Sequence, residues 1–444
     1  MHRVCITEYE RIYFTDEPGE LLKDDSDRYV PRHLLEKLRS FDEMQRKTGK
    51  PTVFDWSARD YAKATSMVGV VQIPGLMVEI LPKIASADSP DLGITRSNLL
   101  YMLSLTRKLP ITERDIACLG QQKMNLLEAL IRLFAMRLMN ELRRGIDHAY
   151  LYREENLPRV KGKILINRHL IKNAAHQERF YVGFDEFLED TLLNRILKAT
   201  SRRLISMSSV YATQRVLMEA AAVFDEVEDI IPSEHHFEQI HLHRNNERFC
   251  MLLDFCRMVW QGNSPNPATG VHKSFSILFP MEKLFEEFIA NYIYQNASEL
   301  ELNRSEIAIQ SFGCRKYLAK SNGKEMFQLK PDLILKDGVN KFRLVLDTKW
   351  KCLKSDAEDR KNGVSQADMY QMYAYAKQYD CNNVVLLYPK NGEEIEKDYT
   401  ISGDDLKNIR VKTIDLSRDL KKAPNEFKAN IKNILAVGNQ GGVK

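Results

Sequence analysis

The sequence has few of the features that secreted, zinc-stabilised or membrane proteins need. Its seven cysteines are scattered and form no Cys-x-x-Cys pair, which argues against a disulfide framework and a structural zinc site. The first residues, MHRVCITEYERIYFTDE, contain no apolar segment of the kind a signal peptide has. The most apolar helical run, residues 124–139, includes charged residues, so no membrane span is expected. These absences predict a soluble, cytoplasmic protein.

The small net charge and the absence of a serine-hydrolase motif exclude few further classes of protein. The formal net charge is +4 over 444 residues, too small a sum to indicate nucleic-acid binding, which depends on local basic stripes. No Gly-x-Ser-x-Gly elbow is present, so a serine hydrolase is not expected. The composition is that of a globular protein with two or three domains.

The pattern along the chain predicts a multidomain α+β protein with three regions. Residues 1–94 are β-rich, and VGVVQIPGLMVEILPKI at 68–84 reads as two short strands around a turn. Residues 95–262 have helical apolar spacing and form a helical middle region. The stretch QGNSPNPATG at 261–270 cannot continue a helix or a strand and marks a domain boundary.

The third region, residues 271–444, is predicted to be an α/β domain with a mixed sheet flanked by helices. A helix is expected to begin near Pro280, followed by three strands, a second helix and a further strand. The expected elements after the first helix are strands at 305–318, 326–335, 342–350, 383–389 and 409–415 and helices at 365–379 and 424–436.

Two of these strands carry charged residues at the end of an apolar run. In FRLVLDTKW, side chains alternate between faces, so Asp347 and Lys349 share one surface. A hairpin loop centred near Val339 and Asn340 would bring Asp332 opposite Asp347, within roughly 5 to 8 Å. Such a pair of carboxylates can share a cation.

Partly buried carboxylates repel one another unless a cation binds them. Mg²⁺ prefers oxygen ligands and accepts phosphate oxygens in its open positions, with Mn²⁺ as the alternative. The backbone carbonyl of Thr348 is a candidate further ligand, and Lys349 would orient a water molecule or neutralise the phosphorane. This arrangement predicts hydrolysis of a phosphodiester. In the alternative interpretation, Asp332 starts a turn, and Asp347 and Lys349 form a solvated strand end.

The residues Pro331-Asp332 and Asp347-Thr348-Lys349 resemble the PD-(D/E)xK nuclease motif. Downstream, QADMYQMYAYAKQY places Gln371 and Tyr375 on one helical face, which resembles the Gln-x-x-x-Tyr helix of the RecB-like members. The resemblance implies that this pair approaches the site and the DNA, and that Glu282 or Glu286 on an upstream helix, with Glu286 preferred, adds a carboxylate. The alternative is a tyrosine-rich amphipathic helix lying on a sheet.

A wider set of segments resembles McrC, the nuclease subunit of the McrBC modification-dependent restriction system. These segments occur in the family's order between about residues 65 and 390, together with the PD, DTK and QMYAY elements. They are VGVVQIPGLMVEILPKI, RVKGKILINRHL at 159–170, FDEFLEDTLLNRILKAT at 184–200 and FPMEKLFEEFI at 279–289.

The resemblance implies a Mg²⁺-dependent endonuclease that takes part in phage defence with an McrB-like AAA+ GTPase ring and double-stranded DNA bearing modified cytosine. No GxxxxGK[ST] loop is present, so nucleotide hydrolysis would belong to the partner, whose activity the chain would stimulate. Residues 1–94 would be the partner-binding domain, with the turn at Pro74-Gly75 and the stretch 85–94 as its stalk; a small β domain without that role is the alternative. Two other functions stay open: a non-catalytic adaptor of a AAA+ motor and a stand-alone RecB-like repair nuclease.

Overall fold

A computed structural model describes residues 2–16, 28–84, 91–106, 124–176, 178–261, 274–310, 313–338, 341–351, 353, 363–392 and 394–436. The chain divides into two compact units. Unit 1 contains the described residues up to 106, those at 124–126 and those from 274 onward; unit 2 contains those at 127–261. None of the helices in these ranges is both long and apolar enough to cross a membrane. Outside them lie most of the predicted domain boundary, residues 85–90 of the predicted stalk, and Val339 and Asn340 of the predicted hairpin loop.

The helices and strands follow one another in three groups along the chain. The first group is β1 (His2–Thr7), β2 (Arg11–Thr15), β3 (Tyr29–Pro31), α1 (Leu35–Lys47), β4 (Phe54–Asp55), β5 (Tyr61–Ala64), β6 (Met67–Ile73), β7 (Leu76–Leu81) and α2 (Leu92–Leu105). The second is α3 (Leu126–Leu142), β8 (Ala149–Leu157), β9 (Lys163–Ile164), α4 (Ile166–Lys172), β10 (Phe180–Leu188), α5 (Leu192–Met207), α6 (Tyr211–Ala222), α7 (Glu234–Glu238) and α8 (Cys250–Gln261). The third is β11 (Phe275–Pro280), α9 (Met281–Gln295), β12 (Ile307–Ile309), β13 (Lys316–Ser321), β14 (Lys324–Leu329), β15 (Leu333–Lys336), β16 (Phe342–Thr348), α10 (Gln366–Gln378), β17 (Asn383–Pro389), β18 (Lys397–Ile401), β19 (Asp404–Ile414) and α11 (Pro424–Leu435).

The amino-terminal part of unit 1 contains two four-stranded sheets, ordered β3-β2-β5-β4 and β1-β7-β6-β11. The predicted strand pair at 68–84 is confirmed as β6 and β7, joined by a turn at Pro74-Gly75 in which Gly75 has a φ of 94°. Helix α1 was not predicted in this β-rich region. Its buried Leu35, Leu38 and Phe41 recur every three residues, the spacing of one helical face.

Strand β11, from the third group, completes the sheet of the first group. It pairs antiparallel with β6, and a Cβ on Gly69 would lie 2.0 Å from the carbonyl oxygen of Ile277, so only glycine fits there. Unit 1 therefore combines residues that the predicted three-region division places in separate domains, 1–94 and 271–444. Pairing between strands about 200 residues apart has no local signature in a sequence. The three-region division stays a prediction.

Unit 2 corrects the prediction of a helical middle region. Its helices are accompanied by a three-stranded antiparallel sheet ordered β8-β10-β9. Helix α5 begins only at Leu192, because residues up to Leu188 belong to β10 and the Thr191 hydroxyl accepts the N–H of Asn194 as the cap. The sequence did not predict this sheet because apolar residues of β8 are exposed to solvent; Tyr150, for example, is 74% exposed. The spacing of apolar residues therefore does not follow burial in this strand.

The third group forms a mixed six-stranded sheet ordered β12-β15-β16-β17-β19-β18. The central strands β16, β17 and β19 are parallel, and the others pair antiparallel. The predicted helix after Pro280, the helix near 365–379, the strand 383–389 and the helix near 424–436 are confirmed as α9, α10, β17 and α11. The three strands predicted after the first helix contain an insertion, since β13 and β14 form a separate two-stranded sheet between β12 and β15.

Candidate active site

Two carboxylates lie at neighbouring ends of central strands in the six-stranded sheet. Asp347 follows the fully buried run Leu344–Leu346 in β16, and Asp332 directly precedes β15. The antiparallel register pairs Leu333 with Leu346, which places Asp332 beside Asp347, as predicted. Asp332 is 9% exposed and Asp347 is 1% exposed, so both charges are largely removed from water.

The carboxylate of Asp332 is held by Thr348. The backbone N–H and the hydroxyl of Thr348 both donate to Oδ2 of Asp332, at 2.6 and 2.7 Å. These bonds lock the end of β15 to the end of β16. Thr348 thus contacts the first carboxylate and belongs to the strand that carries the second. The ligand role of its carbonyl stays a prediction.

The carboxylate of Asp347 is held by Lys349 and by helix α10. Lys349 Nζ donates to Asp347 Oδ2 at 2.5 Å. The hydroxyl of the buried Tyr375 donates to the same carboxylate, and Gln371 Nε2 donates to the Tyr375 hydroxyl oxygen at 2.8 Å. The predicted Gln371–Tyr375 pair therefore reaches the strand carboxylates as one relay of hydrogen bonds. Burial raises the pKa of Tyr375, so its hydroxyl keeps the proton that it donates.

Helix α10 carries a second pair with the same Gln-x-x-x-Tyr spacing, Gln366 and Tyr370, which lies away from the carboxylates. Gln366 Nε2 donates to the Tyr370 hydroxyl at 2.5 Å, but Tyr370 is 65% exposed. The helix starts after Ser365, whose hydroxyl accepts the N–H of Asp368 at 3.1 Å. The face of the helix that packs on the sheet carries the buried Met372, Tyr375 and Ala376, so it presents Tyr375 rather than Tyr370.

Glu286 of α9 is a third carboxylate close enough to act on both aspartates. Its charge contributes to raising the pKa of Asp332 and of Asp347. Gln310 Nε2 donates to Glu286 Oε1 at 2.9 Å, and the backbone N–H of Gln310 donates to the Asp332 carbonyl at 2.9 Å. Glu282, the other candidate on this helix, is exposed and acts instead on the pKa of Glu8.

The cluster contains more carboxyl groups than ammonium groups, since Asp332, Asp347 and Glu286 lie around Lys349. Burial, followed by the charges of Asp347 and Glu286, raises the pKa of Asp332. Burial also raises the pKa of Asp347, although the Lys349 ammonium opposes that rise. For Lys349, burial alone would lower the pKa, but the Asp347 carboxylate outweighs it and the pKa is raised. A protonated lysine therefore faces carboxylates that repel one another, which favours binding of a further cation.

The donor atoms fit a divalent ion that keeps part of its water. In the part of the chain that the structure describes, no three His, Cys, Asp or Glu side chains converge as a complete metal site. Mg²⁺ is commonly held by one or two carboxylates together with waters and substrate phosphates. Asp332 and Asp347 supply such a pair of carboxylates, and the charge imbalance around them is one that a divalent cation would relieve.

Asp368 belongs to the same surface and was not predicted. It is buried, and it accepts hydrogen bonds from Lys351 Nζ at 3.2 Å and from the Tyr388 hydroxyl at 3.0 Å. Burial acts to raise the pKa of Asp368, but its hydrogen bonds with Ser365, Lys351 and Tyr388 outweigh burial and lower it. Helical spacing could have identified this residue, which lies one turn before Gln371.

Two other supporting residues had no sequence signal. Gln310 has a φ of 49°, a left-handed conformation unusual for a residue with a side chain. Glu8, in the amino-terminal region, accepts a hydrogen bond from Trp350 Nε1 at 3.0 Å, and the Trp350 ring packs 5.2 Å from that of Phe285. Because Trp350 directly follows Lys349, this contact anchors the chain next to the candidate site.

The fold is thus a mixed α/β architecture of several sheets and, among the described residues, eleven α-helices, with buried carboxylates at adjacent strand ends. The chain belongs to the McrBC family, described as McrBC 5-methylcytosine restriction system component, whose model matches residues 62–389. The resemblance to the McrC subunit predicted from the motifs is thereby confirmed.

Relatives of this chain include curated and structurally known proteins. The Type IV methyl-directed restriction enzyme EcoKMcrBC of Escherichia coli (strain K12) is 22% identical over 296 residues, which cover 64% of this chain and 82% of that one. A chain of the half-complex from the tetradecameric assembly of Thermococcus gammatolerans McrB AAA+ hexamers with bound McrC superposes with a TM-score of 0.73 at 20% identity, covering 98% of this chain and 99% of that one. A chain of the Thermococcus gammatolerans McrBC complex gives a TM-score of 0.53 at 24% identity, covering 66% and 88%.

Proposed function

We propose that this chain is the metal-dependent endonuclease subunit of a GTP-dependent restriction complex that acts on DNA bearing modified cytosine. The observation that carries the proposal is the convergence of Asp332, Asp347 and Lys349 at the ends of two adjacent strands. The family model and the fold of the Thermococcus gammatolerans assembly support it. We infer in the same way that the chain binds an McrB-like AAA+ hexamer and stimulates its GTPase.

Asp332, Asp347 and the Thr348 carbonyl would hold Mg²⁺ or Mn²⁺, with Glu286 as an outer carboxylate. When bound, such an ion lowers the pKa of a coordinated water and screens the charge of the scissile phosphate. Water would add to phosphorus while the bond to the leaving oxygen breaks. The residues of this chain would determine where each reacting group lies.

Lys349 would place its ammonium beside the phosphate oxygens, where negative charge develops. Its bond to Asp347 keeps the long side chain in one position. Tyr375 donates to the same carboxylate, and Gln371 orients the Tyr375 hydroxyl. This relay would hold Asp347 in the rotamer that a cation needs, without contributing a proton to the reaction.

The test is DNA cleavage by the full chain together with an McrB-like GTPase, GTP and Mg²⁺. Asp347→Asn and Lys349→Ala should abolish cleavage of DNA with modified cytosine and leave stimulation of the partner's GTPase intact. Asp398→Asn is the matched control, because Asp398 is an exposed carboxylate on β18 of the same sheet. Cleavage that is lost in EDTA and restored by Mg²⁺ would support the metal role.

The alternatives predict other results in the same assay. A non-catalytic adaptor predicts that Asp347→Asn and Lys349→Ala cut as well as the unaltered chain. A stand-alone repair nuclease predicts that the purified chain cuts unmodified DNA without the partner or GTP. Either result would overturn the proposed function.

A further inference from the structure

The β13–β14 hairpin extends from the sheet directly beside the candidate site. It forms its own two-stranded sheet, and every residue from Lys320 to Gln328 is exposed. Its base is anchored: β13 packs against α10, and Cys314 and Leu329 pack against the core of the six-stranded sheet. Leu329 is three residues before Asp332, so the hairpin leads straight into the site.

The hairpin carries a concentration of positive charge. Residues 315–330 contain five basic residues and one acidic residue, a net charge of +4 that equals that of the whole 444-residue chain. The rest of the chain is therefore neutral in sum. The acidic residue, Glu325, lies 3.7 Å from Lys320, and none of the other basic residues forms an ion pair with a described residue. The basic residues are Arg315, Lys316, Lys320, Lys324 and Lys330.

Apolar side chains on the same hairpin also face solvent. Phe327 is 70% exposed and Leu318 is 51% exposed, and the strand pairing omits the positions of these two residues. Phe327 has a φ of 60°, a conformation that disfavours a bulky side chain. A two-stranded hairpin with both faces exposed is at best marginally stable in water, and a binding partner would cover it.

We propose that the β13–β14 hairpin binds duplex DNA next to the candidate active site, with its lysines on phosphates and Phe327 in a groove. The proposal rests on the proposed nuclease function, which supplies DNA as the occupant. A two-stranded ribbon fits the major groove of B-form DNA, and clustered lysines match the phosphate backbone. The position of the hairpin just before Asp332 favours DNA over an acidic protein surface, since the bound duplex would reach the carboxylates.

The lysines are tested by DNA binding of the full chain in an Asp347→Asn background, so that no cutting occurs. The combined Lys316→Gln, Lys320→Gln and Lys324→Gln variant should reduce the slope of log affinity against log salt by about 2.7, because each lost phosphate contact contributes about 0.9. The control is Lys37→Gln, Lys47→Gln and Lys341→Gln, three exposed lysines of unit 1, which should leave the slope unchanged. Equal slopes for both variants would overturn the proposal.

Phe327 is tested by Phe327→Gly. Glycine adopts a φ of 60° without strain, so the hairpin should keep its fold. We expect weaker DNA binding at every salt concentration with an unchanged slope, since an apolar contact releases no counterions. Unchanged affinity would mean that Phe327 does not enter a groove and would overturn that part of the proposal.

The competing occupant is the AAA+ partner. If the hairpin docked on that partner, the triple lysine variant would bind DNA normally but no longer co-elute with the partner ring in size-exclusion chromatography, which would overturn the DNA proposal. Binding is measured without cleavage. A failed nuclease assay and a failed hairpin assay are therefore separate outcomes.

Discussion

The amino-terminal sheet and the six-stranded sheet both bury carboxylates, but they compensate the charge differently. In the amino-terminal sheet, Glu79 of β7 is 3% exposed and accepts Arg96 Nε at 2.6 Å, Arg96 Nη2 at 2.9 Å and the backbone N–H of Leu126 at 2.8 Å. In the six-stranded sheet, Asp332 and Asp347 lie side by side, and Lys349 is the ammonium bonded to Asp347.

The difference is the one expected between a structural carboxylate and the carboxylates that we propose to bind a cation. A bidentate guanidinium and a backbone donor satisfy Glu79 within the chain, so its charge has no need of a ligand. Burial and mutual repulsion raise the pKa of Asp332 and Asp347, which means that the folded chain disfavours their ionised forms. A bound cation would offset the cost of ionising these buried carboxylates. Carboxylates with shifted pKa values are typical of active sites.

The largest expected effect is that of Asp347→Asn on cleavage. Loss of a cation ligand should remove several kcal/mol of transition-state stabilisation, a drop of at least about 10³-fold in the cleavage rate. Because the folded chain disfavours the Asp347 charge, the same change should raise the urea midpoint of unfolding at pH 7. A variant that cuts normally, or one that is less stable, would contradict the contrast between the two sheets.

The second effect is that of Arg96→Met on stability. This change leaves Glu79 buried without its partner and should lower the free energy of unfolding by about 3 to 5 kcal/mol. Cleavage per folded molecule should stay within a few-fold of the unaltered chain, since Glu79 belongs to the other sheet. Urea unfolding and a cleavage assay on the same preparation measure both; a large loss of activity at full folding would show that the amino-terminal sheet also serves catalysis.

The third effect is a pH dependence caused by Glu8. Burial raises the pKa of Glu8 from 4.5 to about 7, against the opposing bonds from Lys83 N–H and Trp350. Between these pH values the folded chain binds more protons than the unfolded chain, so stability falls as pH rises from 4.5 through 7, by about 3 kcal/mol in total.

Glu8→Gln removes this titration while keeping an acceptor for Trp350 Nε1. We subtract the urea midpoint of the unaltered chain from that of Glu8→Gln. This difference should be larger at pH 8 than at pH 4. Glu36→Gln, at an exposed position on α1, is the control and should follow the unaltered chain. Parallel pH curves for all three proteins would contradict the assigned pKa shift.

The smallest effect is that of Tyr375→Phe. It removes one donor to Asp347 without emptying the core, a loss of about 1 kcal/mol or roughly fivefold in the cleavage rate. Tyr370→Phe is the matched control, because Tyr370 lies on the exposed face of the same helix. Equal effects of the two changes would show that the relay does not position Asp347.

Local patterns predicted part of the fold and the shared location of the candidate site residues. Asp347 and Lys349 share a strand face because side chains alternate, and Gln371 and Tyr375 share a helical face because they are four residues apart. The β8–β10 sheet in unit 2 was missed because its apolar residues are exposed and carry no burial pattern.

Such local patterns could not predict contacts between residues that are far apart in the sequence. Gln310 reaches Glu286 from a left-handed turn, and Glu8 accepts from Trp350 across 342 positions of sequence. Neither contact repeats at a helix or strand period, so no spacing rule identifies it.

By itself, the sequence determined which residues alternate along strands and which recur along helices, because those periods are set by the backbone of each element. Only the tertiary structure decided that β11 completes the amino-terminal sheet, that Gln371 rather than Gln366 faces the carboxylates, and that the basic hairpin remains solvent-exposed beside Asp332. These outcomes depend on packing and strand pairing between segments far apart in the chain, where the energy of burial, and no local preference, selects the arrangement.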